Sequence, residues 1–275
     1  MIEELFHIEK QAYRDSFIHR LDARVKIILA FTVIIAIVAV PYSVMVYTVG
    51  GIFFVFFMGL WILSQLSPVV YIRRLAEIIP LWGIVIFFQI FLKNKYYTEY
   101  HALLTLPFGI AVYHESVTFA FVLLVKFVIS ISFIILLSST TKIQDMLEGA
   151  TRLGLPADFA LVLGMMIRYL FVFGYIYRKV TESLVTRCFD AFDRKLPYRY
   201  RIRQLGYTIG TMFIRAYEQG ERVYISMLCR GYGRDSYLFV KKKPLRQGDL
   251  VFLTLSMMIV LTVPVIVWLA QFRLV

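Results

Sequence analysis

Two arginines stand where a guanidinium can do chemistry that folding alone does not require. Arg187 lies in SLVTRCFDAF and Arg230 in SMLCRGYGRD; each follows a long stretch with apolar residues at helical spacing and precedes a helix stop. A guanidinium is always charged and offers a planar fork of donors, which suits carboxylates and helix-end carbonyls in a partner's groove. A helix can also use such a residue for itself. A cation in the last turn favours the macrodipole, and Gly231 is an ordinary left-handed cap. The duplication speaks for the first use, since two prongs suit a pair of similar partners; on helix chemistry alone both uses stand.

Other chemistry is thinly represented. There is no GxxxxGK[ST] loop, no HExxH, no GxSxG elbow and no spaced pair of carboxylates within the apolar segments, so neither P-loop ATP binding nor catalysis is expected. The histidines are His7, His19, His101 and His114. His101 and His114 flank a segment expected outside the membrane, but no third ligand follows at matching spacing, and no metal site is expected. Cys188 and Cys229 form no CxxC; their expected cytoplasmic placement makes them free thiols.

The elements that must position these residues are those of a membrane protein. The 275 residues are 60% hydrophobic, with a mean hydropathy of +0.72, where a soluble domain has about 45–50% apolar residues. The formal charge of +12 is spread between the apolar blocks and not along one soluble face. It therefore points to a cytoplasmic surface facing anionic lipid and not to nucleic acid. The N-terminal MIEELFHIEKQAYRDS is polar and lacks the basic start and apolar core of a cleaved signal, so insertion is expected through internal spans.

Residues 25–63 are almost continuously apolar and break near Pro41-Tyr42-Ser43, which predicts two spans. Arg14, Arg20, Arg24 and Lys26 precede them and Arg73-Arg74 follow, placing both flanks inside. A third span is expected over 78–92. Lys93 and Lys95 beyond it are a mild exception to the charge rule. Residues 103–113, with Pro107 and Gly109, are too short to cross and read as an interfacial or re-entrant piece. A fourth span covers 117–137, and Lys126 within it should face protein or water. A last span, 250–269, follows Lys241-Lys242-Lys243-Pro244, for about five crossings in all.

Residues 157–193 are apolar enough to cross as well. Crossing would export Arg178, Lys179, Arg187, Arg194, Lys195, Arg199, Arg201 and Arg203, and would leave Arg168 in mid-membrane. The segment is therefore read, against hydropathy alone, as a long helix packed beneath the bundle. Residues 200–230 read as a second, after a break at Pro197. Ile202, Leu205, Ile209, Met212, Phe213, Ala216, Val223 and Met227 mark its apolar face. A short amphipathic helix over 141–153, stopped by Gly154 and Pro156, leads into the pair. The expected division is a four-span bundle over 1–140, a cytoplasmic region over 141–246 and a final span in 247–275.

Several stretches together resemble the transmembrane T subunit of energy-coupling-factor importers, the EcfT/CbiQ family. They are FIHRLDARVKIILAF, TTKIQDMLEGATRLGLPADFALVLGMMIRYLFVF, IRAYEQGERVYISMLCRGYG and KPLRQGDL, in the family's order over most of the chain. The resemblance leans toward the CbiQ branch of cobalt or nickel uptake. It implies an all-α integral membrane protein of about five spans plus a pair of long crossed coupling helices. It further implies two ABC ATPase subunits that bind the ATP, a separate S or CbiM-like substrate-binding membrane subunit, surrounding lipid, and a prokaryotic plasma membrane. No cofactor is implied for this chain itself.

In that family each coupling helix ends in an Ala-Arg-Gly motif that docks into one ATPase. Here the second matches at Arg230 and Gly231, with Cys229 for the alanine. The first matches only at Arg187, with Thr186 and Cys188 as flanks. Losing the glycine at 188 should alter the shape of that helix end. Gly206, Gly210, Ala216 and Gly220 are expected to let the helices approach closely. The alternative function is a self-contained channel or secondary transporter, which would need ionisable groups facing a midplane pore. Lys126, Gln89 and Glu77 are the candidates for that role.

Overall fold

A computed structural model describes residues 16–42, 45–91, 102–105, 111–190, 196–233 and 245–272. His7, Arg14, Lys93, Lys95, His101, Pro107, Gly109, Arg194, Lys195 and the 241–244 basic run lie outside the described residues. The helices are α1 Phe17–Arg20, α2 Ala23–Ala39, α3 Met45–Ser64, α4 Pro68–Phe91, α5 His114–Thr140, α6 Ile143–Arg152, α7 Ala157–Thr186, α8 Tyr198–Cys229 and α9 Gln247–Phe272. Strands β1, Ala102–Thr105, and β2, Ala111–Tyr113, form a short antiparallel pair ahead of α5. Apart from that pair the protein is an all-α membrane protein.

Local chemistry explains the boundaries. Asp22 starts α2 by accepting the Arg24 amide on its carboxylate. Val40, the residue before Pro41, is driven into the extended region (φ −61°, ψ 129°) and ends α2 there. Pro156 and Pro197 stand, extended, at the N-caps of α7 and α8. Gly154 takes φ +116° directly after the last turn of α6, a conformation open mainly to glycine. Pro80 lies inside α4, where membrane helices tolerate it.

Helices α3, α5 and α9 are long and apolar enough to cross a membrane, and so is α7 between Asp158 and Thr186. α2, with 17 residues, extends about 26 Å and is short for a span. Within the segment at 103–113, expected to be interfacial or re-entrant, the described residues belong to the paired strands β1 and β2. A ladder satisfies backbone groups that so short a piece could not satisfy alone.

The chain divides into two compact units, one within 154–242 and the other formed by the rest of the described chain. The division falls at Leu153/Gly154, because α6 packs on α2 and belongs with the bundle. In the bundle, α5 packs against α2, α3 and α4, and α9 lies along α2 and α3. Val33, Ile37, Val46, Val49, Phe53, Phe57, Phe133 and Val260 are fully buried. Phe57, Trp61, Tyr71 and Phe133 form an aromatic cluster, with ring centroids 5.1 Å apart for Phe57–Tyr71 and 5.4 Å for Trp61–Tyr71. Tyr71 and Ser132 share a buried hydrogen bond of 2.8 Å there. Gly50 lets α3 reach α5: a Cβ on it would lie 2.8 Å from Val125 Cγ1.

The other unit consists of α7 and α8, which run antiparallel. Phe189, just past α7, meets Tyr200 at the start of α8 with ring centroids 6.1 Å apart. At the opposite end, Tyr232 donates a long 3.5 Å hydrogen bond to Asp158. No residue of α8 is buried. Its half-buried side runs through Gln204, Thr208, Met212, Ala216, Val223 and Met227. The expected apolar face is thus split, with Ile202, Ile209 and Phe213 left 49%, 69% and 73% exposed.

Candidate helix-end docking site

The two arginines close their helices in the same way. Arg187 is the C-cap of α7 (φ −90°, ψ 16°) and Arg230 that of α8 (φ −91°, ψ 8°). After Arg187, Cys188 turns to φ 57° and donates its amide to Val185 at 2.9 Å, while the Phe189 amide reaches back to Leu184 at 3.0 Å. After Arg230, Gly231 turns to φ 81° and donates to Leu228 at 2.9 Å, while Tyr232 reaches Met227 at 3.0 Å. Both are Schellman ends. The sequence expectation that Cys188 would change the helix-end shape is corrected: the cysteine accepts the left-handed conformation and both hydrogen bonds form. Phe189, buried under the turn, supplies the apolar anchor that such ends use.

These ends satisfy their carbonyls with backbone amides and leave the side chains out of the cap. Arg187 and Arg230 are exposed, and among the described residues neither guanidinium has a hydrogen-bonding or ionic partner. Thr186 turns its hydroxyl onto the Ser183 carbonyl at 2.9 Å. Cys188 and Cys229 are free and exposed. Because the helices are antiparallel, the two thiols and the two arginines sit at opposite ends of the pair, separated by roughly the 45 Å length of a 30-residue helix.

The small residues behave differently from expectation. A Cβ built on Gly206, Gly210 or Gly220 meets nothing within 4 Å, so these glycines pack no helix of this chain among the described residues. They lie on the exposed side of α8; Ala216 alone of the four is half-buried. Close approach occurs in the bundle instead, at Gly50 and Gly149. Spacing alone could not tell these glycines apart, because each sits in an apolar helical context and only the neighbour distinguishes them.

Lys126 is buried, as its cost in lipid demands, and its amine is spent on structure. Nζ donates to the carbonyls of Val38 and Val40 at 3.1 and 2.5 Å and lies 4.1 Å from the centroid of the Tyr42 ring. It closes the C-terminus of α2. In return, Lys26 at the start of α2 donates to Thr140 O at 2.9 Å and closes α5. Neither clasp was legible from the sequence beyond the demand that Lys126 face protein. Glu77 pairs with Arg73 at the exposed surface, and Gln89 is half-buried. Of these three candidates for a pore, Lys126 and Glu77 are thus engaged in other contacts.

Comparison with known proteins adds a family. The family model described as CbiQ, cobalt transport protein, matches residues 14–238. An uncharacterized protein of Methanocaldococcus jannaschii is 24% identical over 263 residues, covering 94% of this chain and 85% of its own length.

Proposed function

Since the chain belongs to the CbiQ cobalt transport protein family, and is thus a membrane component of cobalt transport, we propose that it is the coupling subunit of an energy-coupling-factor importer. In this reading two ABC ATPase subunits close on ATP and move the α7–α8 pair through Arg187 and Arg230. The pair then repositions a separate substrate-binding membrane subunit carrying cobalt or nickel. The observation that carries the reading is the helix-end geometry: two Schellman turns that need no side chain each expose an arginine that has no partner among the described residues. A fork of donors held at a rigid helix end matches a partner's carboxylates or helix-end carbonyls. Long helices make good levers, and packed elements switch between discrete arrangements.

The orientation follows from charge. Arg168, midway along α7, is exposed and has no partner among the described residues. Placing it at the centre of a bilayer would cost about 3 kcal/mol. We therefore read α7 as lying at the cytoplasmic face of a prokaryotic plasma membrane, with the N-terminus and both coupling helices inside. The uncovered Ile202, Ile209 and Phe213 of α8, beside Gly206, Gly210 and Gly220, are the surface offered to the substrate-binding subunit.

The test is copurification with tagged ATPases encoded beside this chain, comparing wild type with Arg187→Glu and Arg230→Glu. The reading expects capture by the wild type and its loss in each reversal, with membrane insertion unchanged. Capture that survives both reversals would remove the docking role, and no capture by the wild type would remove the coupling role.

A further inference from the structure

The stretch FIHRLDARVKIILAF takes no part in the docking reading, yet its polar residues converge on one junction. Asp22 accepts the Arg24 amide at 3.0 Å and the Arg24 guanidinium at 3.2 and 3.1 Å. From the end of α6, Arg152 brings Nη1 to 3.9 Å from Asp22 and also bonds Glu148 one turn back. Ala23 presses on α6 where α6 has glycine: a Cβ on Gly149 would lie 3.1 Å from Ala23 Cβ and 3.3 Å from the Arg24 amide nitrogen. One turn later, Lys26 donates to His19 O at 3.3 Å and to Thr140 O at 2.9 Å. Thr140 is the last residue of α5, just ahead of α6.

Residues 22, 23 and 26 lie on one side of a single helical turn, and between them they hold the C-terminal half of α6 and the end of α5 just ahead of it. The grip matters because α6 is weak by itself. It has ten residues, Gly149 alone among them is buried, and an isolated helix of that length is marginal in water. It also continues into α7 through only the 153–156 linker.

We propose that Asp22 and Arg152 are positioning residues that make α6 a rigid extension of the bundle, so that motion of α7 and α8 reaches the membrane helices without being lost in α6. The inference rests on the coupling-subunit reading and names the point where coupling enters the bundle. Asp22→Asn is the informative change, since asparagine still caps a helix but gives up the charge that faces Arg24 and Arg152.

The experiment uses the whole importer in proteoliposomes and reads cobalt(II) uptake per ATP hydrolysed, with ATPase capture measured alongside. Asp22→Asn and Arg152→Gln should each lower uptake per ATP about fivefold or more, the lower end of ordinary intersite coupling, while ATPase capture stays at the wild-type level. The double variant should be no worse than either single, because both remove one interaction. Arg152→Lys, which keeps the charge, should retain most of the coupling and carries the test if Asp22→Asn fails to insert. Unchanged uptake per ATP in Arg152→Gln, losses that multiply in the double, or Arg152→Lys as impaired as Arg152→Gln would each overturn the proposal. A wild type that captures no ATPase would overturn the coupling reading, and this role with it.

Discussion

The bundle and the long helix pair solve the same problem in opposite ways. Every helix leaves its last carbonyls without intrahelical partners. In the bundle, α2 is closed by Lys126 and α5 by Lys26, buried ammonium groups reaching across from another helix. In the pair, α7 and α8 are closed by their own next two amides, and the charged side chain beside each end takes no part in the cap. Where a helix end is packed, the cation is the cap; where it is exposed, the backbone caps and the cation makes no polar contact among the described residues. A second contrast sits inside the first, since the same turn is built once on Gly231 and once on Cys188.

The sharpest way to break the first comparison is to remove a cation from each kind of end. Lys126→Ala leaves the Val38 and Val40 carbonyls without their charged donor in a buried site, and should cost about 2–3 kcal/mol in detergent unfolding. Arg187→Ala and Arg230→Ala should change the same measurement by less than about 0.5 kcal/mol. A comparable loss in the arginine variants would mean that they cap after all.

The second comparison predicts smaller effects of opposite sign. Gly231→Ala puts a Cβ into a left-handed residue and should destabilise the α8 end by about 1 kcal/mol. Amide exchange at Tyr232 should speed up accordingly, by roughly fivefold. Cys188→Gly relieves the same strain but adds backbone freedom to the unfolded chain, for a net gain of about 0.5 kcal/mol. Exchange at Phe189 should then slow, and no change would mean that the cysteine is unstrained at φ 57°.

The smallest predicted effect is on pH. Burial tends to raise the Asp22 carboxyl, but the hydrogen bonds from the Arg24 side chain and amide, with the charges of Arg24 and Arg152, outweigh it and hold the group below its ordinary value. A depressed carboxyl stabilises fully above the unfolded value, about 3.9, and that contribution is lost as pH falls through the lower folded value. The α2–α6 junction should therefore hold from neutral pH down to about 4 and loosen below it. Amide exchange in α6 against pH would show this, and the step should be absent in Asp22→Asn.

The chain's own order of residues determined the helices, their stops and the two arginines. Apolar runs, Pro41, Pro156, Pro197 and Gly154 act within a few residues, and helix termini answer to such local signals. The likeness to a transport family is of the same kind, because it is carried by contiguous stretches. Tertiary structure decided what each polar or small residue touches. Lys26 and Thr140 are 114 positions apart and Lys126 and Val40 are 86 apart, so no spacing rule connects them. Gly149 and Gly210 look alike in sequence, yet only Gly149 has a neighbour inside van der Waals distance. Cys188 stands where the other helix end has Gly231, and it builds the same turn. The hydrogen bonds of the turn and the buried Phe189 behind it outweigh the modest cost of a left-handed cysteine.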